Sequence, residues 1–115
     1  GHITGDLSIK AVAAIARDTM RLSDLLVRWG GDEFIILAQG DIDSAFLAAE
    51  RLRKQVETGE FFTKYNGRNA DKCDITISCG VSEFKKGDTL DSILARTNAA
   101  LYKAKFEGRN RIYRG

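Results

Sequence analysis

Two adjacent carboxylates follow a pair of glycines in the first third of the chain. The string is Arg28-Trp29-Gly30-Gly31-Asp32-Glu33-Phe34. Glycine backbone lets a ligand approach closely, and carboxylate oxygens are the donors that hard cations such as Mg²⁺ prefer. This combination suits phosphoryl chemistry, in which positioning and metal charge do most of the work. A hairpin with solvated polar ends explains the same residues, and the pattern alone favours neither interpretation.

Other charged residues lie near the ends of predicted helices. Lys105 and Arg109 can bind phosphate, although the helix dipole also favours solvated cations at a C-terminus. Asp6 can cap the first helix through its carboxylate. Arg21 and Asp24 are three residues apart, so both side chains can project from one side of the helix end. They can form a surface ion pair worth at most about 0.5 kcal/mol, or bind a guanine nucleotide through an arginine fork and a carboxylate acceptor.

The elements that position these residues follow from hydrophobic periodicity. Helical spacing predicts helices over 7–22, 42–56 and 90–106, with Gly59 and Gly108 ending the last two. Apolar runs predict one hairpin from 25–29 and 32–37 joined by Gly30-Gly31, a second from 61–65 and 75–84 around a polar loop, and a final strand at 111–113. The order predicts an α+β fold with a mainly antiparallel sheet and helices packed on it.

Composition narrows the class of protein. With 115 residues, 43% of them apolar and 30% charged, the chain fits one ordinary globular domain. The net charge of +2 gives no reason to expect nucleic acid as a partner. No apolar run approaches the roughly 20 residues that cross a bilayer, so we expect no membrane contact by this domain. Cys73 and Cys79 flank a predicted strand at a separation of about 20 Å, which predicts two free thiols.

The string Gly30-Gly31-Asp32-Glu33-Phe34 resembles the signature of the GGDEF family of diguanylate cyclases. Four other segments resemble family elements in the same order. Residues 1–6 resemble its GHxxGD segment, 21–24 its RxxD element, 50–53 a helix segment that supplies a further arginine, and 100–110 its ALYxAKxxGRN signature. The likeness therefore extends along the whole chain.

This resemblance implies a fold and an activity. The fold would be a ferredoxin-like, nucleotidyl-cyclase core over residues 1–115, with the family's first strand and following helix ahead of Gly1. Family members join two GTP molecules into cyclic di-GMP and release two pyrophosphates, with each subunit of a homodimer presenting one GTP. The 115 residues alone would be inactive, because the family's aspartate-rich first strand is not among them. The alternative is a non-catalytic module that binds cyclic di-GMP.

The resemblance also implies roles for individual residues. Asp32 would bind Mg²⁺ or Mn²⁺ and assist deprotonation of the ribose 3′-hydroxyl, and Glu33 would support the metal. Gly30 and Gly31 would lie against GTP and Asp6 would accept hydrogen bonds from guanine. Lys105 and Arg109 would hold the terminal phosphates, and Arg21, Asp24 and Arg51 would form an inhibitory product site.

The family also implies a setting for this domain and shows one departure in this chain. We expect a bacterial cytoplasmic signalling protein, which can be the cytoplasmic part of a membrane-anchored sensor, with sensor or regulatory domains covalently linked. The departure is Thr97-Asn98, where the family usually has Ala-Asp. Its expected effect is on local helix hydrogen bonding more than on chemistry.

Overall fold

The computed structural model contains three helices and six strands in the residues that it describes. These are 2–21, 24–30, 33–59, 61–65 and 68–115, and the description leaves out the side chains of 2–8, 26–30, 61–65 and 68–73. The helices are α1 (His2–Thr19), α2 (Ile42–Thr58) and α3 (Leu90–Phe106). The strands are β1 (Leu25–Gly30), β2 (Glu33–Leu37), β3 (Phe61–Tyr65), β4 (Arg68–Cys73), β5 (Cys79–Val81) and β6 (Ile112–Arg114). The α+β class is as predicted.

The chain divides into two compact units. The first unit comprises Gly1–Gln39 and Gln55–Ile75, and the second comprises Gly40–Lys54 and Thr76–Gly115.

In the first unit, β1 and β2 form the antiparallel hairpin that the sequence predicts. Leu25 lies opposite Leu37, and the register shifts between Arg28 and Gly30. Gly30 is itself paired, opposite Glu33. Strand β1 therefore extends one residue further than predicted, because Gly30 takes part in strand pairing.

The second hairpin differs from the prediction. Strand β3 pairs antiparallel with β4, with Phe61 opposite Cys73, and its partner is not the segment 75–84. The polar stretch that the sequence analysis assigned to a loop contributes this strand. Strand pairing uses backbone groups that every non-proline residue carries, so low hydrophobicity did not prevent it.

Helix α1 packs on β3 and buries Ala13 and Ala16. The helix begins at His2, so Asp6 lies inside it. The prediction that Asp6 caps this helix is therefore wrong, because a capping residue lies outside the helix with non-helical backbone. In the part of α2 that belongs to this unit, Val56 is fully buried.

The second unit is built on a parallel pair of strands. Cys79 lies opposite Ile112 in the pairing of β5 with β6, and α3 packs against both strands. The described strands therefore form three two-stranded sheets, one of them parallel, and not the mainly antiparallel sheet that was predicted. Strand direction is set by connectivity: β5 and β6 are joined by a crossover that contains α3, as parallel strands require.

Close packing of α3 on β5 depends on a glycine. A Cβ atom at Gly80 would lie 2.3 Å from the carbonyl oxygen of Thr97 and 2.6 Å from the amide nitrogen of Leu101. Beside this contact the helix buries Ala100 and Ala104. Small residues on both elements thus let the two backbones approach closely.

The start of α3 is fixed by local hydrogen bonds. Thr89 and Ser92 form a reciprocal capping box, and Asp88 accepts hydrogen bonds from the Lys85 amide at 2.7 Å and from Arg96 at 2.7 Å. The Arg96 hydrogen bond is the main reason that the pKa of Asp88 lies well below its usual range. Leu90, the first residue of the helix, is 66% exposed.

Among the described residues, no helix has both the length and the hydrophobicity that crossing a membrane requires.

Candidate active site

Two residues of the Gly-Gly-Asp-Glu-Phe string, Gly30 and Glu33, are paired in the first hairpin. Gly30 ends β1 and Glu33 begins β2, directly opposite it. Glu33 is half-buried, whereas Gly31 and Asp32 lie outside the described residues. Hairpin pairing thus holds the backbone on each side of the predicted nucleotide contact.

The donor chemistry at this hairpin fits a hard cation. Glu33 offers carboxylate oxygens, which Mg²⁺ prefers. Within the described part of the chain, no three histidine, cysteine, aspartate or glutamate side chains cluster closely enough to hold a metal. Asp32, the predicted principal ligand, is outside that part, so Glu33 is the predicted metal ligand with a described position.

The predicted phosphate-binding cations lie on either side of the end of α3. Lys105 is in its last turn, and Arg109 follows in an unusual turn. Gly108, Arg109 and Asn110 have φ angles of 124°, 63° and 49°. Left-handed backbone is common for glycine but uncommon for arginine. The Arg109 amide donates to the carbonyl oxygen of Ala104 at 2.9 Å, which satisfies one of the last helical carbonyls.

A half-buried arginine on α2 supports this turn. Arg53 donates from one terminal nitrogen to the side-chain oxygen of Asn110 at 3.0 Å. Its other two guanidinium nitrogens donate to the Glu50 carboxylate at 2.9 and 3.2 Å. The Asn110 amide donates to the hydroxyl of Ser78 at 3.1 Å. Sequence reasoning assigned no role to Arg53, Ser78 or Asn110; the i,i+3 spacing of Glu50 and Arg53 was the available signal.

The charges of Glu50 and Arg53 act on the thiol of Cys79. Burial raises the pKa of the Cys79 thiol to about 12, and the charge of Glu50 adds to the shift while that of Arg53 opposes it. The thiol is free, as predicted for this residue. Because the thiolate is the nucleophilic form of cysteine, Cys79 is not a candidate nucleophile.

The predicted product-site residues Arg21 and Asp24 are in direct contact, but not as a helical ion pair. Helix α1 ends at Thr19, so both residues lie in the connection to β1. The Arg21 amide donates to the Asp24 carboxylate at 2.9 Å, and the Asp24 amide donates to the Arg21 carbonyl at 3.0 Å. Asp24 is therefore tied to the backbone of Arg21, and the Arg21 side chain is exposed.

The remaining candidates have simpler settings. Arg51 is exposed on α2, and the side chain of Asp6 lies outside the described residues. Thr97 donates to the Ile93 carbonyl at 2.7 Å and shares a hydrogen bond with Ser82, while Asn98 is exposed. Thr97 thus takes part in local hydrogen bonding of α3, while the effect of losing the family's carboxylate at Asn98 stays a prediction.

The structure brings three sets of candidates together, each within one unit. Gly30 faces Glu33, Arg21 contacts Asp24, and Lys105 and Arg109 flank the end of α3. The first unit holds Asp6, Arg21, Asp24, Gly30 and Glu33, and the second holds Arg51, Lys105 and Arg109.

Comparison with known sequences gives matches along nearly the whole chain. The family model described as "Diguanylate cyclase, GGDEF domain" matches residues 1–111. Diguanylate cyclase A of Treponema denticola is 40% identical over 114 residues, which cover 97% of this chain and 29% of that protein. Diguanylate cyclase DosC of Escherichia coli is 35% identical over 113 residues, covering 97% of this chain and 24% of that protein. The chain thus spans less than a third of the length of these two relatives.

Solved structures give the same match. The GGDEF domain of DgcB from Caulobacter crescentus, in complex with c-di-GMP, superposes with a TM-score of 0.88 at 30% identity, covering 99% of this chain and 66% of that one. The diguanylate cyclase SiaD of Pseudomonas aeruginosa, in complex with its activator SiaC, has a TM-score of 0.86 at 32% identity, covering 100% of this chain and 43% of that one.

Proposed function

This chain belongs to the GGDEF family of diguanylate cyclases, and from that premise we propose that it is the catalytic domain of an enzyme that condenses two GTP molecules into cyclic di-GMP. Two pyrophosphates are released in the reaction. The two GTP molecules are presented by the two subunits of a homodimer.

One observation carries this proposal: the complete Gly-Gly-Asp-Glu-Phe string, two residues of which are paired in the first hairpin. Gly30 and Glu33 lie opposite each other in the β1–β2 ladder, which fixes the backbone on either side of Gly31 and Asp32. A module that only binds cyclic di-GMP has no need of adjacent carboxylates following glycines. The string therefore favours the enzyme over the binding module.

Each residue has a chemical task in the proposed reaction. Each ribose 3′-hydroxyl attacks the α-phosphorus of the other GTP, a P–O bond forms, and pyrophosphate leaves. Asp32 assists removal of the hydroxyl proton, and Gly30 and Gly31 let the backbone lie against the nucleotide. Asp6 accepts hydrogen bonds from guanine. Lys105 and Arg109 bind the terminal phosphates and stabilise the departing pyrophosphate. Asp32 and Glu33 would hold Mg²⁺ or Mn²⁺, which when bound supplies positive charge to the phosphates.

A second site regulates the enzyme in our proposal. Arg21, Asp24 and Arg51 bind the product cyclic di-GMP and thereby inhibit turnover. The contact between Arg21 and Asp24 supports a preformed part of this site. The same contact favours the alternative function, a cyclic di-GMP receptor, if catalysis fails. We place the domain in a bacterial cytoplasmic protein with linked sensor or regulatory domains.

Replacing Asp32 by alanine in the full-length protein tests the proposed function. We expect cyclic di-GMP formation from GTP to fall by at least about 100-fold, the scale expected for lost transition-state stabilisation. The midpoint of thermal unfolding should change little, because the substitution removes a polar side chain and no apolar one. Asp74→Ala, which removes an exposed carboxylate outside the site, is the matched control. Near wild-type formation by Asp32→Ala, or none by the wild-type protein, would contradict the proposal.

A further inference from the structure

The turn after α3 combines strain with support from distant residues. Gly108, Arg109 and Asn110 all have positive φ angles, and two of the three carry side chains. Left-handed backbone at a non-glycine residue costs on the order of 1 kcal/mol or more and persists only when its surroundings enforce it. Such strain concentrates at ligand-binding positions. The contacts that hold this turn are therefore informative about its use.

Arg53, on α2, is the charged residue that contacts the turn from another helix. Its side chain is 13% exposed, and that of Glu50 is 31% exposed. An arginine this buried requires partners for its donors. Two nitrogens are matched by the Glu50 carboxylate, three residues earlier on α2, and a third reaches Asn110, 57 residues away in sequence. The Glu50 pair alone would form on an isolated helix, whereas the bond to Asn110 ties α2 to the turn.

The turn is held from three other directions. The backbone amide of Asn110 donates to the Ser78 hydroxyl, and the backbone amide of Arg109 donates to the Ala104 carbonyl. The Arg109 carbonyl accepts from the Arg111 side chain at 2.9 Å. Both peptide groups around Arg109 are thus fixed by hydrogen bonds. The Arg109 side chain remains exposed and available to a ligand.

We propose that Arg53 is a positioning residue for phosphate binding: through Asn110, the Glu50–Arg53 pair holds the strained turn so that Arg109 is presented to the terminal phosphates of GTP. This inference rests on the proposed function, because it takes GTP as the ligand of Arg109. It adds a role for a residue that does not itself contact substrate. Preorganisation of this kind lowers the ordering cost that binding would otherwise incur.

A double-mutant cycle on the full-length protein tests this role. The ligand is α,β-methylene-GTP, which cannot release pyrophosphate, and its affinity is measured by calorimetry. We expect Arg53→Met to weaken binding about tenfold, and Arg53→Lys to restore little, because lysine cannot form the same planar set of hydrogen bonds. In an Arg109→Ala background, Arg53→Met should cause no further loss, since the two residues act as one unit.

Two further variants keep the test decisive. Asn110→Gly removes the Asn110 acceptor of Arg53 while allowing the left-handed backbone. We expect the same tenfold loss of affinity, although in this variant Glu50 and Arg53 keep each other as partners. Lys86→Met removes an exposed cation elsewhere in the same unit and should leave affinity within about twofold.

The outcomes separate the inference from the function on which it rests. If Arg109→Ala leaves binding unchanged, the assignment of Arg109 to phosphate is wrong and the proposed function loses that support. If Arg109→Ala weakens binding but Arg53→Met and Asn110→Gly do not, the positioning role is overturned while the function stands. The same holds if the affinity losses of Arg53→Met and Arg109→Ala add in the double variant. Failure of both variants to fold would also overturn it, because Arg53 would then be purely structural.

Discussion

At the scale of single residues, Arg21 and Asp24 have different tasks. One oxygen of the Asp24 carboxylate accepts from the Arg21 amide and the other has no partner among the described residues, so Asp24 can hold the Arg21 backbone and still accept from a ligand, whereas the exposed Arg21 guanidinium can donate to one. A planar guanidinium can bind a phosphate with two hydrogen bonds or stack on a base. Most of the affinity for cyclic di-GMP at this site should therefore come from Arg21.

We expect Arg21→Ala to weaken cyclic di-GMP binding by at least about tenfold, or roughly 1.4 kcal/mol. Arg17→Ala removes an exposed arginine from the last turn of α1 and should leave the affinity unchanged. Calorimetry on the three folded proteins makes the comparison. Equal affinities for the wild-type protein and Arg21→Ala would mean that Arg21 is only a surface residue.

Cys79 should be unreactive in the folded protein. Its raised pKa, about 12, keeps it protonated near neutral pH, and thiolate is the reactive form. We expect alkylation of Cys79 by iodoacetamide at pH 8 to be at least about tenfold slower in the folded than in the urea-unfolded protein. Cys73→Ser leaves Cys79 as the single thiol for this measurement. Equal rates in the two states would contradict this prediction.

The raised pKa of Cys79 also makes the stability of the folded protein depend on pH. A thiol whose pKa is raised on folding stabilises the protein fully below the unfolded value, about 8.5, and this contribution is lost as pH rises toward the folded value of about 12. Cys79 therefore weakens the folded state only under alkaline conditions.

At the scale of elements, local signals predicted the helices better than the strand pairings. The predicted range 90–106 matches α3, because Thr89 and Ser92 cap its start, and Gly59 ends α2 as expected. The β4 strand was missed because polar residues resemble a loop when only hydrophobicity is read. The parallel pairing of Cys79 with Ile112 joins residues far apart in sequence, and periodicity carries no information about strand direction.

In the candidate site, too, local sequence motifs predict individual residues but not contacts between residues far apart in sequence. Motifs within short segments predict roles for Gly30, Glu33 and Arg109, and these roles stay predictions. The link from Arg53 to Asn110 spans 57 residues, so no local pattern indicates it. Spacing predicted an interaction between Arg21 and Asp24, but the helical geometry was wrong because α1 ends at Thr19, and the hydrogen bond runs from the Arg21 backbone amide to the Asp24 carboxylate.

Contact between β5 and α3 should be sensitive to a single methyl group. Gly80→Ala would place Cβ against backbone atoms of Thr97 and Leu101, which cannot move as a side-chain end can. We expect a loss of unfolding free energy of about 1–3 kcal/mol, the usual range for overpacking, measured by urea unfolding. Gly87→Ala, in a turn where a Cβ meets no atom within 4 Å but φ is +92°, separates backbone strain from crowding. A smaller loss for Gly80→Ala than for Gly87→Ala would contradict this packing argument.

At the scale of the whole molecule, binding and catalysis should separate in the 115-residue segment. Arg21, Asp24 and Arg51 all lie within it, whereas the family resemblance implies that turnover also needs a second metal-binding aspartate from the family's aspartate-rich first strand. We expect the purified segment to bind cyclic di-GMP but to release no measurable pyrophosphate from GTP. Steady pyrophosphate release would show that these 115 residues suffice for turnover.

The dependence of the turn at Asn110 on Arg53 has a consequence for synthesis on the ribosome. The Glu50–Arg53 pair can form as soon as α2 emerges, but its third partner follows 57 residues later, a delay of roughly 3 to 11 s at about 5–20 residues per second. Strand β5 likewise cannot pair with β6 until Ile112 has been synthesised. A nascent chain therefore exposes the acidic hairpin well before the arginine turn can be organised, and a chain that terminates prematurely before residue 110 never acquires it.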